Sequence, residues 1–171
     1  WQGRVDACWV RARPRGCTVS VAPTTRLSAL FATDARFAPL LARLALGAMI
    51  IPHGLQKAFG AFGGYGFSGT MAYFTDTLGI PWILGLAAIL AETAGGIALL
   101  LGFASRVAAA AVGITLGVAM LTVHAKNGFF MNWFGNQPGE GVEFFVLALA
   151  LAAIVCVDGG GRFSLDRKAV R

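Results

Sequence analysis

Four stretches of this chain are apolar over lengths that would cross a bilayer: residues 37–58, 81–102, 106–125 and 139–157. A hydrocarbon core takes ~20 mostly apolar helical residues to span. The third stretch is the cleanest, because Val107 to Ala125 holds no Asp, Glu, Lys or Arg. The fourth is the weakest, since its uncharged run starts only after Glu143. The pattern predicts an all-α membrane protein. We expect one four-transmembrane-helix bundle over residues 36–158, without internal repeats.

Ionisable residues break these stretches, Arg43 and His53 in the first, Glu92 in the second, His124 in the third and Glu143 in the fourth, with Lys57, Arg106 and Glu140 at their ends. A charge near the bilayer centre costs at least ~2.5–3.5 kcal/mol on insertion scales, so such groups face a bundle interior or a wet cavity. With spans starting flush at each face, the helical rise puts Arg43 about 9 Å in, His53 about 24 Å, Glu92 about 16 Å and His124 about 27 Å. His53, Lys57, His124 and Glu143 would then share one level near one face, with Arg43 and Glu92 deeper. Helical spacing also groups Arg43, Gly47, Ile50, Gly54 and Lys57 on one face, and Gly85, Ala88, Glu92 and Gly96 on another. Small residues on such faces let helices approach closely in lipid. Pro52 predicts a kink beside His53.

Composition supports the membrane reading: 57% of residues are hydrophobic and 13% charged, with a mean hydropathy of +0.70. The net charge of +6 would suit nucleic acid, but its distribution argues against that partner. Arg4, Arg11, Arg13, Arg15, Arg26 and Arg36 precede the first stretch. Arg106 joins the second to the third, and Arg162, Arg167, Lys168 and Arg171 follow the fourth. The other connections carry Lys57 and Lys126 offset by Asp76, Glu140 and Glu143. That is a positive-inside pattern, which predicts both termini in the cytoplasm and residues 159–171 as a basic tail. Cys8, Cys17 and Cys156 form no C-x-x-C pair. Residues 1–35 begin with Trp1 and differ in composition from the rest, as a mis-called start or a non-native segment would; we expect them to be disordered.

Two chemistries are open for the intramembrane groups. Arg43 and Glu92 are expected to form a structural ion pair across the bundle. His53, His124 and Glu143, sharing a level, are the candidate catalytic groups. Two His and a carboxylate would ligate a metal, but no H-x-x-x-H spacing accompanies them, and no metal site is expected. The connections are rich in rings: Phe59, Phe62, Tyr65, Phe67, Tyr73 and Phe74 in the first, then Phe129, Phe130, Trp133 and Phe134. An interfacial belt explains them. The alternative is a cover over a cavity for a flat apolar ligand, with Lys57, Phe129, Phe130 and Trp133 as cofactor-binding candidates. From Ser68 or Thr70 onward a short interfacial helix is expected, ended by Gly79, Ile80 and Pro81.

Several segments resemble the DoxX family of small integral membrane proteins. RLALGAMIIPHGLQKAFG (43–60) is similar to its opening, and GIPWILGLAAILAETAGGIALLLGFASR (79–106) to its second-helix signature. MLTVHAKNGFF (120–130), GEGVEFFVLAL (139–149) and GGGRFSLDR (159–167) resemble its later motifs in the same order. The resemblance implies a four-helix bacterial inner-membrane protein, an oxidoreductase or the membrane subunit of a quinone- or sulfur-linked redox complex. Its matching positions here are Arg43, His53, Lys57, Glu92, Arg106, His124 and Glu143. No redox-active side-chain pair, haem-attachment motif, Rossmann fingerprint or Walker loop occurs, so electrons would need a bound cofactor or a partner. A quinone is the cofactor candidate. A soluble redox enzyme, another membrane subunit or a second copy are the partner candidates beside the bilayer. The alternatives are a non-catalytic scaffold anchoring a soluble enzyme, and a small-solute transporter, for which inverted repeats are lacking.

Overall fold

A computed structural model describes residue 33 and residues 36–169. The expectation of disorder over residues 1–35, with Cys8 and Cys17, lies otherwise outside the described residues. Helix α1 (Phe37–Phe59) leads through a 3-10 turn (Ala61–Gly63) to α2 (Gly66–Ala72), which continues as a π-helical turn (Tyr73–Thr77). Then come α3 (Trp82–Leu101), α4 (Ser105–Ala119), α5 (Glu143–Asp158) and the short α6 (Leu165–Ala169). A π-helical turn (Met120–His124) and a 3-10 turn (Ala125–Asn127) extend α4, so its helical run covers Ser105–Asn127.

The protein is a multi-pass membrane protein by its helices. Phe37–Phe59, Trp82–Leu101 and Ser105–Asn127 are each long and apolar enough to cross a bilayer. The fourth expected span is shorter: α5 has 16 residues, about 24 Å against a core of ~30 Å. It nonetheless packs along α4 and α1, while α3 packs along α1 and α4, closing a ring of four helices. Leu46, Ile50, Leu99, Ala109, Val112 and Val155 fill its centre.

Glycines set the closest approach. A Cβ on Gly54 would lie 2.7 Å from the Thr93 nitrogen and 2.8 Å from the Glu92 carbonyl carbon, so the α1 and α3 backbones touch there. Without a strong hydrophobic drive between helices in lipid, such contact is what holds them. Pro52 lies within an unbroken α1.

One end of the ring, here the base, is closed by charged groups that bond to backbone. Arg43, 2% exposed, donates from Nε to Gly160 O at 2.7 Å. Its Nη1 donates to Leu99 O at 2.8 Å and Leu100 O at 2.5 Å, and its Nη2 to Phe163 O at 3.3 Å. The last carbonyls of α3, which have no partner inside their helix, are thereby satisfied. Arg106 does the same for α5, bonding Cys156 O and, at 2.6 Å, Val157 O. The buried Asp166 carboxylate accepts from the Ala104 and Ser105 amides at 2.6 and 2.8 Å, capping the start of α4. The basic segment after α5 thus meets the base of the bundle through Gly160, Phe163 and Asp166, while Arg162 and Lys168 stand exposed.

Candidate functional site

At the opposite end, the mouth, the helices part around a cavity of about 820 Å³. It lies between α1, α3, α4 and the first turn of α5, with Tyr73 and Phe74 of the π-helical turn after α2 along its wall. The walls are largely alanine and larger apolar side chains. Thr115 and Thr122 also line it, but their hydroxyls donate back to Ala111 O and Val118 O of their own helix. The charged or titratable lining groups are His53, Lys57, Tyr73, Glu92, His124 and Glu140.

Lys57 and Glu92 form the ion pair. Lys57 Nζ donates to Glu92 Oε2 at 2.5 Å, with the carboxylate buried and the ammonium partly open. This corrects the expected Arg43–Glu92 pair. The contact at Gly54 places Glu92 level with Gly54, one residue beyond His53 and one turn short of Lys57. Arg43 lies three turns away, level with Leu99 and Leu100 at the base. The flush-start depths fail because α3 reaches ten residues from Glu92 toward the mouth and α1 only five from Gly54, about 7 Å less. Glu92 thus joins the level of His53.

His53 faces the cavity beside Phe144, ring centroids 6.4 Å apart. Among the described residues its ring makes no hydrogen bond. His124 ends the π-helical turn of α4, an element that often marks functional sites. Its Nδ1 lies 2.9 Å from Glu140 O. A carbonyl only accepts, so Nδ1 is the donor in this contact and Nε2 is the nitrogen left for another partner. The His124 ring packs on Phe145 at 4.5 Å, and Phe145 meets Phe144 edge-on at 5.6 Å. The two imidazoles thus flank a pair of phenyl rings on one wall.

Glu143 is not among the lining residues. Its Oε2 accepts from the Met131 amide at 3.2 Å, and its own amide donates to Phe129 O at 2.8 Å, tying the 128–142 connection to α5. Phe129, Phe130 and Trp133 do not line the cavity either and stand exposed. Their connection is stapled to itself: Asn132 N donates to Glu140 Oε2 at 2.6 Å, and Asn132 and Gln137 exchange two further bonds. The connection rings that do border the cavity, Tyr73 and Phe74, belong to the first connection. A cue lay in the sequence, because Gly85 on the Glu92 face leaves room for Phe74, whose Cδ2 would be 3.0 Å from a Cβ there. Asp166 was also missed; it is an acid in an otherwise basic segment, two residues after Ser164.

Such a chamber offers a fixed carboxylate–ammonium pair and two imidazoles to a ligand with an apolar body and polar edges. Among the described residues, no three His, Cys, Asp or Glu gather closely enough to hold a metal ion. The family model for DoxX matches residues 38–125, just over half of the chain. The chain belongs to the DoxX family. The DoxX match takes in Arg43, His53, Lys57, Glu92, Arg106 and His124, and ends before Glu143. No curated protein and no solved structure matches the chain.

Proposed function

We propose that this DoxX-family protein is an inner-membrane subunit of a quinone- or sulfur-linked redox complex, with its cavity as the ligand site. The cavity carries the reading: about 820 Å³ of mostly apolar space with His53, Lys57, Glu92 and His124 on its walls. That volume and chemistry suit a flat ring with exchangeable protons at its edge, a quinone above all. Lys57 and Glu92 would hold one polar edge, while His53 and His124 Nε2 give or take protons as the ring changes redox state. Electrons would come from a partner, since the sequence has no redox-active side-chain pair. Glu143 serves as the anchor of the mouth connection. The positive-inside pattern puts the base in the cytoplasm and the mouth outside, with α5 as the fourth crossing.

The test is purification from native membranes in mild detergent, followed by mass spectrometry of extracted small molecules and co-purifying proteins. A retained quinone, depleted in His53→Ala and Glu92→Gln, is expected. Finding no quinone and no flavin, haem or other chromophore overturns the reading. The scaffold alternative draws on the exposed Arg162 and Lys168 at the base. It is favoured if alanine at both His53 and His124 spares the activity of the assembled complex.

A further inference from the structure

The way into the cavity is legible in how α3 and α4 diverge. Near the middle of the bundle the two helices touch: a Cβ on Gly95 would sit 3.3 Å from Val112 Cγ2 and 3.8 Å from Ala108 O. From there α3 runs back toward Trp82 and α4 forward toward His124, and the cavity opens between them. Its lining includes Leu84 and Ala87 of α3 and Ile114 and Val118 of α4. These four also stand exposed on the outside of the bundle, Ile114 at 69% and Val118 at 46%. Residues that line a chamber and face outward mark where the chamber meets the surface. Here that surface belongs to two helices apolar enough to lie in lipid.

Resting on the proposed ligand site, the geometry points to a lateral portal between α3 and α4 through which a bilayer-dissolved molecule enters. All four rim residues are uncharged and apolar, so the rim costs an apolar ligand no desolvation of polar groups. A hydrated or charged solute would meet the same rim from the hydrocarbon side and be excluded. The ion pair and His53 lie on the α1 side, so a molecule passing the rim body-last would bring its polar head to Lys57 and Glu92. The occupant is therefore a lipid-soluble molecule with a polar ring or head, delivered from the membrane.

The portal is testable without a redox assay. Phe144→Trp puts an indole on the cavity wall, in a chain with Trp1, Trp9, Trp82 and Trp133 changed to Phe. In vesicles of phosphatidylcholine brominated in mid-chain, its fluorescence should be quenched. Aqueous iodide should quench it little. Filling the rim with Ala87→Phe and Val118→Phe together should cut the lipid quenching roughly by half or more, as added ring volume closes the gap. Ile114→Ala, which removes rim volume, should preserve or raise it and controls for folding. Quenching by iodide in place of brominated lipid, by neither reagent, or by brominated lipid regardless of rim filling, each overturns the portal. The result is independent of quinone: a portal that passes lipid stands even where no quinone co-purifies, and a bound quinone does not establish one.

Discussion

Replacing Arg43 with Gln should strip the base of its main cross-brace without touching the cavity. The guanidinium bonds three carbonyls at 2.5–2.8 Å and a fourth at 3.3 Å, joining α1 to the end of α3 and to the 160–163 segment. Hydrogen bonds to a charged group contribute about 1.5–3 kcal/mol each, but those sharing one side chain do not add. Leaving several buried carbonyls short of donors places the loss at about 3–5 kcal/mol, as for other broken buried charge networks. That is a large fraction of the ~5–15 kcal/mol that separates folded from unfolded proteins. Arg43→Lys should recover only part, because a single ammonium cannot reproduce a planar fork spanning both sites. The assay is reversible SDS unfolding in mixed micelles, run as double-mutant cycles. Arg43 and Glu92 share no partner, so Arg43→Gln with Glu92→Gln should be additive within about 0.5 kcal/mol. Lys57→Met with Glu92→Gln should show coupling of about 1 kcal/mol or more. A coupling above about 1 kcal/mol between Arg43 and Glu92, or none between Lys57 and Glu92, would refute the pairing described here.

Glu92→Gln alone should destabilise by about 1–3 kcal/mol, less than a fully buried pair because Lys57 keeps some access to solvent, read in the same unfolding titration. Asp166→Ala removes the cap of α4 and should cost about 1–2 kcal/mol, with Asp166→Asn recovering part of it. Gly54→Leu should separate α1 from α3 and cost at least about 1–3 kcal/mol; near-normal thermal stability in detergent would contradict the close approach. Phe129→Ala with Trp133→Ala should leave ligand retention unchanged, since neither ring lines the cavity, whereas Phe74→Ala should reduce it.

Much of the architecture is legible in the sequence. Three apolar stretches became spanning helices close to their expected bounds, and the small-residue faces holding Gly47, Gly54 and Gly96 became the α1–α3 contact. The short helix after Ser68 also formed, although it starts at Gly66 and ends in a π-helical turn. Candidate residues fared unevenly. His53, Lys57 and His124 came together on one cavity, joined by Glu92, while Glu143 and the Phe129–Trp133 rings turned to the mouth connection instead.

Periodicity is a property of one helix, and it told which residues share a face and which stretches are apolar enough to lie in lipid. Those features follow from local geometry and composition, so the sequence by itself determined them. The axial offset between helices is a property of two. It depends on where Gly54 lets α3 settle against α1, and it decided that Glu92 meets Lys57 and that Arg43 braces the base. Long cationic side chains reach several ångströms, so a shift of one or two helical turns exchanges their partners. The cavity, its ring-bearing wall at Tyr73 and Phe74 and its opening between α3 and α4 arise from that same offset and from the divergence of two helices, which only the tertiary structure supplied.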